Sequence, residues 1–322
     1  MSEIKVLIDQ LDRDAAMANH HENIFIDAGA GTGKTQTIVS RIVNRIVANE
    51  EFSMQDIAAI TFTEKAGAEL RNRFRHVLET SKSNLNKSQQ ERLEEAIVSV
   101  DSAAIGTIHS FCKRILTDHS IAAQLPVGFQ ISSEAAGPNK RVLRARHVAD
   151  QTMDTMCDSE QRELRDIEFS PKVMQELVTE LDSKFAIVNE LDLSREISSG
   201  PSYQKTVYKF IHTAIGFLKE NQLERRNSGE IEFDDLLIMT RDLLAQKEDL
   251  RRLVSNQFKV VLVDEFQDTD PIQWQIVRLL TNENKDDLSP KPGSLVLVGD
   301  PKQAIYRFRN ADIETFIDVK SG

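Results

Sequence analysis

Two short stretches carry residue types whose spacing could do phosphate chemistry. Ala28-Gly29-Ala30-Gly31-Thr32-Gly33-Lys34-Thr35 fits a phosphate-binding loop, with Ala28 standing where such loops usually begin with glycine. Small residues let successive backbone N–H groups converge on phosphate oxygens at a helix N-terminus. In a loop of this kind Lys34 reaches the β- and γ-phosphates and the Thr35 hydroxyl ligates magnesium. A second magnesium ligand and a group to activate water are still needed. Val260-Val261-Leu262-Val263-Asp264-Glu265 offers both at the end of an apolar run. Asp264 is placed to hold magnesium through water, and Glu265 to orient and deprotonate the attacking water. The chemistry these residues point to is magnesium-assisted hydrolysis of ATP.

Two further turns share a grammar. Asp270-Pro271-Ile272-Gln273 and Asp300-Pro301-Lys302-Gln303 both read as an Asp N-cap, Pro at the first helical position and Gln at the third. Capping suffices for Gln273. Gln303 lies just past the apolar run Leu295–Val298, where a side chain can face a γ-phosphate, and we expect it to sense that group.

These groups need elements to position them. Ile24–Asp27, Ile57–Phe62, Ala103–Thr107, Lys259–Val263 and Leu295–Val298 read as short buried strands, and Thr35–Val47 and Glu64–Leu78 as helices. Residues 81–90 are polar and read as a loop. The strand–helix rhythm predicts an α/β fold with a parallel sheet flanked by helices, whose ligands sit beyond the carboxyl ends of the strands. From about Leu116 to Asn227 the character changes to helical periodicity with no strand run. Val173, Met174, Leu177, Val178, Leu181 and Phe185 form one apolar stripe after a Ser170-Pro171 start. Val207, Phe210, Ile211, Ala214, Phe217 and Leu218 form another.

Composition bounds the rest. The 322 residues suffice for about two domains. A net charge of −11 argues against a generic nucleic-acid coat protein, although a channel gripping single strands by stacking stays open. No stretch approaches the ~18 apolar residues of a membrane span. Nor does the N-terminus carry a basic, then apolar, leader. Cys112 and Cys157 lack partners at metal spacing and read as reduced thiols of a cytoplasmic protein.

Taken in order, Ala28–Thr35, Thr61-Phe62-Thr63-Glu64-Lys65-Ala66, Thr107-Ile108-His109-Ser110-Phe111, Asp264-Glu265-Phe266-Gln267-Asp268 and Val298-Gly299-Asp300-Pro301-Lys302-Gln303-Ala304-Ile305-Tyr306 resemble helicase motifs I, Ia, Ib, II and III of the UvrD/Rep class of superfamily 1. The run Gly299–Tyr306, with Phe233-Asp234-Asp235-Leu236-Leu237 ahead of motif II, most resembles the RecB/AddA branch. The resemblance implies a RecA-like P-loop domain, subdomain 1A, in two parts at 1–116 and 231–322. Residues 117–230 then form the helical insertion, subdomain 1B. It also implies a 3′-to-5′ translocase on single-stranded DNA, driven by ATP with magnesium, and a RecC- or AddB-like partner subunit.

Carried over by position, Thr61, Phe62, Thr63 and Lys65 touch the DNA backbone, and Thr107, His109 and Phe111 line the same groove. Tyr306 and Phe308, interleaved with Arg307 and Arg309, place rings near unpaired bases. Phe62 and Phe111 also read as core residues, and His109 as a structural histidine. The adenine-reading glutamine of the class falls on Arg13 here, which leaves adenine selectivity open, and Asn310 replaces the glycine after the motif III arginine. The resemblance further implies a second RecA-like domain and a nuclease domain that these residues do not encode. We therefore expect a portion of a longer protein, weak in hydrolysis alone. The alternative is a non-catalytic module that binds nucleotide or single-stranded DNA.

Overall fold

The computed structural model describes residues 10–29, 32–82, 85–132, 137–188, 200–233, 235–282 and 289–300. They divide into two compact units, residues 1–115 with 239–322, and residues 116–238.

The first unit is built on a five-stranded sheet. Its strands are β1 (Ile24–Asp27), β2 (Ile57–Thr61), β3 (Ala104–Thr107), β6 (Val260–Val263) and β7 (Leu295–Gly299), in the order β1-β7-β6-β2-β3. Every pairing is parallel, with Asp27 opposite Gly299, Val263 opposite Ile60 and Thr61 opposite Thr107. Burial follows this order. The three inner strands β7, β6 and β2 are buried at every residue, whereas β1 and β3 at the edges are only partly buried. Continuous valine, isoleucine and leucine runs are what a strand covered on both faces requires.

Helices α1 (Gln10–Ala18), α2 (Lys34–Ala48), α3 (Glu64–Thr80) and α4 (Lys87–Ser99) precede or alternate with these strands. Ile38, Val39, Ile42, Val43 and Ile46 of α2, with Leu70, Phe74 and Leu78 of α3, form one core cluster with Ile57, Leu262 and Val298 of the sheet. The loop or surface turn expected over residues 81–90 gives way to helix α4 from Lys87 onward. Asn86 opens it with a capping box, its Oδ1 accepting from Gln89 N at 2.9 Å while its own N–H donates to Gln89 Oε1 at 3.0 Å. Only Leu93 and Ala96 are buried along its length, so its apolar signal is thin.

Helix α5 (Ile108–Asp118) leads out of the sheet. The second unit holds the short strand β4 (Gln130–Ile131), helices α6 (Gly137–Asp154), α7 (Asp158–Asp166), α8 (Pro171–Ser183), α9 (Phe185–Val188) and α10 (Ser202–Ser228), and strand β5 (Glu230–Ile231). The parallel β4–β5 ribbon is a correction, since no strand was expected here. Two residues per strand are too few to show a period. The unit has its own core of Ala145, Val148, Leu164, Met174, Val178, Phe210, Ala214 and Leu218, with the Phe169 and Phe210 rings packed edge to face. Val173 is 40% exposed, so the α8 stripe is narrower than its spacing suggested. Helices α11 (Asp235–Gln246) and α12 (Glu248–Gln257) lead back to β6, and α13 (Pro271–Thr281) precedes β7. None of the described helices is long and apolar enough to cross a membrane.

Candidate nucleotide site and adjoining strand-end loops

Strand order sorts the chemistry. The carboxyl ends of β1, β7 and β6 adjoin one another at one side of the sheet, and those of β2 and β3 adjoin at the other. Carboxyl strand ends are where α/β sheets bind ligands.

In the phosphate loop, the Ala28 N–H donates to the Gly299 carbonyl at 3.3 Å, fastening the end of β1 to the end of β7. The Gly29 carbonyl accepts from Thr32 N at 3.4 Å and Thr32 Oγ1 at 2.8 Å, closing a tight turn. Gly33, at φ 87°, holds the left-handed conformation that lets the chain enter α2 without a Cβ penalty. Lys34 follows and is buried, and Thr35 is half-buried in the first turn. Ala30 and Gly31 lie outside the described residues, and Arg13 is placed in α1 by its backbone.

Opposite, Asp264 is fixed by its N–H, which donates to the Ile60 carbonyl at 2.9 Å. Its Oδ1 accepts from the Glu265 N–H at 3.0 Å. Burial, then the Glu265 charge, pushes the Asp264 carboxyl above the ordinary Asp range. A cation beside it would offset both effects. The donor set of a hydroxyl at Thr35 and a carboxylate at Asp264 suits a hard, oxygen-seeking dication. The Lys34 ammonium stands 3.9 Å from Glu265 Oε2. The sequence patterns pointed to Lys34, Thr35, Asp264 and Glu265 sharing one site, and the fold places Lys34 and Glu265 within reach.

Gln267 was missed. This buried side chain donates from Nε2 to Glu265 Oε2 at 2.7 Å and accepts at Oε1 from the Asp300 N–H at 2.9 Å. It joins the carboxylate after β6 to the chain leaving β7. An amide two residues beyond a reactive carboxylate was the available signal. Asp300, also buried, has its Oδ2 next to the phosphate loop, 3.7 Å from where a Cβ on Gly29 would stand. Asp270 is the N-cap expected of it, accepting at Oδ1 from the Gln273 N–H at 2.8 Å, while the Gln273 side chain donates from Nε2 to Asp270 Oδ2 at 2.9 Å. Gln303, Tyr306 and Phe308 lie outside the described residues.

On the β2–β3 side the expected surface is smaller than its motifs. Thr61 is buried with its hydroxyl on the Thr63 carbonyl at 3.1 Å, and Thr107 is buried with its hydroxyl on Glu64 Oε1 at 2.7 Å. Phe111 is buried against Phe258, ring centroids 5.2 Å apart. The two threonine side chains face inward with engaged hydroxyls, and Phe111 takes the core position that was one of its two readings. Phe62 and His109 are half-buried, Lys65 is exposed, and Thr63 is exposed while its hydroxyl caps α3 through Ala66 N at 3.1 Å.

Known proteins resemble this chain over most of its length. The chain is 28% identical over 312 residues to the RecBCD enzyme subunit RecB of Mycolicibacterium smegmatis, covering 91% of this chain and 26% of that protein. It is 28% identical over 317 residues to DNA helicase II of Escherichia coli, covering 97% and 36% respectively. With the ATP-dependent DNA helicase PcrA of Leuconostoc citreum it shares 28% identity over 300 residues, covering 92% and 33%. The chain thus spans a quarter to a third of the length of these relatives. Residues 10–321 match the UvrD/REP helicase N-terminal domain, and the chain belongs to that family.

Proposed function

We propose that this chain is the ATP-binding N-terminal portion of a 3′-to-5′ DNA helicase of repair or recombination, on the RecB/AddA-like branch. In this reading residues 1–116 and 231–322 form subdomain 1A and residues 117–230 subdomain 1B. The observation that carries the reading is the Lys34–Glu265–Gln267–Asp300 chain of contacts, which gathers phosphate loop, carboxylate pair and the end of β7 at one site.

The roles follow from charge and position. Backbone N–H groups of the loop and the Lys34 ammonium bind the phosphates of ATP. Thr35 and Asp264 would hold a magnesium ion, which when bound supplies positive charge to the phosphate oxygens. Phosphate competes with Glu265 for Lys34, and the carboxylate so released takes the proton of the attacking water. Gln303 senses the γ-phosphate, and Arg13 stands at the adenine end. Phe62, Thr63, Lys65 and His109 meet single-stranded DNA, with Tyr306 and Phe308 stacking on its bases, each stack being worth about 1–3 kcal/mol. A RecC- or AddB-like subunit is the partner proposed for the whole protein.

The test is titration of the chain with a fluorescent ATP analogue in magnesium. Wild type should bind, and Lys34→Ala should bind at least about tenfold more weakly, the scale of one charge-assisted contact. Chelating magnesium should weaken the wild type as well. Equal binding by wild type and Lys34→Ala would sink the proposal.

A further inference from the structure

Three residues on one face of α3 meet three successive residues of β3, in descending order. Glu64 Oε1 accepts from Thr107 Oγ1 at 2.7 Å. Gly67 packs against Gly106, where an added Cβ would stand 3.1 Å from the Gly106 Cα and 3.2 Å from Thr61 Oγ1. Arg71 Nη2 donates to the Ile105 carbonyl at 2.5 Å. The spacing of 64, 67 and 71 is one helical face, and 107, 106 and 105 run back along the strand.

Glu64 stands at the open end of this seam, beside Thr63 and Lys65. Its partner Thr107 uses the rest of its hydroxyl on the first turn of α5, accepting from Ser110 N at 3.2 Å, while Ser110 Oγ donates to the Thr107 carbonyl at 2.7 Å. One carboxylate therefore fixes a hydroxyl that in turn fixes the first turn of α5. A negative charge at this place works against a phosphate backbone by like-charge repulsion. Its contribution lies in acceptor geometry.

We infer that Glu64 is a positioning residue for single-stranded DNA, acting through the Thr107 hydroxyl to hold the β2–α3 loop and the first turn of α5 as one rigid platform. The inference rests on the proposal that these two segments meet the DNA strand, and Glu64 itself need not touch it.

The test is fluorescence anisotropy of the chain with a labelled oligothymidine, alongside its affinity for the ATP analogue. Glu64→Ala should weaken DNA binding about fivefold, the scale of one net hydrogen bond, with nucleotide affinity unchanged. Glu64→Gln keeps an acceptor oxygen and sheds the charge, so it should bind DNA at least as tightly as wild type. Thr107→Val should match Glu64→Ala, Thr107→Ser should restore binding, and the double variant Glu64→Ala with Thr107→Val should lose no more than either alone. Should Glu64→Ala fail to fold, the Thr107→Val and Thr107→Ser pair reads the same contact. DNA binding by Glu64→Ala equal to wild type, losses that add in the double variant, or failure of Glu64→Gln to bind overturns the inference. No DNA binding by wild type overturns the DNA reading itself, and this inference with it.

Discussion

Glu265 adopts φ 55° and ψ 45°, a left-handed backbone that costs a non-glycine residue about 1–2 kcal/mol. The neighbouring contacts hold it there: its N–H on Asp264 Oδ1, its carboxylate on Gln267, and its carbonyl accepting from Asp268 N at 2.9 Å. Asp268 is the residue left expensive by this turn. Its Oδ1 is buried without a hydrogen-bond partner among the described residues, and burial, then the Glu265 charge, raises its carboxyl to about 6. A carboxyl raised on folding binds its proton more tightly in the folded chain, so stability falls as pH climbs from about 4 through 6. Asp268→Asn removes that penalty. In thermal melts across pH, the variant should be more stable than wild type above pH 6, with the difference shrinking towards pH 4. A constant difference at all pH values would show that Asp268 does not titrate in this way.

At the scale of elements, two glycines inside helices separate packing from propensity. In α3, Gly67 lies where any Cβ would press on the backbone of β3. Gly67→Val should therefore cost about 1–3 kcal/mol by overpacking. In α10, a Cβ on Gly216 would meet nothing within 4 Å. Gly216→Ala should stabilise by about 0.5–1 kcal/mol through helix propensity alone. Denaturant melts of the two variants should move in opposite directions. Nothing in the sequence distinguishes these glycines, because the difference lies in what stands across from each. By contrast β6 and β7 were legible: four consecutive branched residues, as in Val260–Val263, have no stable place except between covered faces. Helix α4 was not, because a helix that buries only Leu93 and Ala96 barely departs from a polar loop in pattern.

At the scale of the molecule, each unit has its own apolar core, and the second also has a buried charge network. Arg144 donates to Asp182 Oδ2 and to Glu232 Oε1, each at 2.5 Å, with all three side chains about one-tenth exposed or less. Burial raises the Asp182 carboxyl in spite of Arg144. For Glu232 burial pushes the same way, but the hydrogen bonds and charge of Arg144 prevail and hold it low. Asp235, from the stretch read as a branch signature, joins them by accepting from Gln222 Nε2 at 3.0 Å and Arg225 Nη2 at 3.4 Å. Removing one partner of such a network leaves uncompensated charge, at a cost of about 3–5 kcal/mol. Arg144→Met should lower the melting transition of the unit spanning 116–238 while leaving affinity for the ATP analogue, whose proposed site lies in the other unit, unchanged. Loss of nucleotide binding in that variant would show that the units do not hold their structure independently.

The sequence by itself marked out the candidate nucleotide site and its proposed chemistry. A loop of small residues ending in Lys34 and Thr35, and an acidic pair ending an apolar strand, are local patterns whose backbone geometry needs few distant contacts. Only the tertiary structure decided which motif residues face outward. Whether a threonine hydroxyl meets solvent or a neighbouring carboxylate depends on pairing across the sheet. That is why Thr61, Thr107 and Phe111 turned out to face inward, and why Glu64 and Gln267, distant in sequence from Thr107 and Asp300, emerged as the residues that hold the loops together.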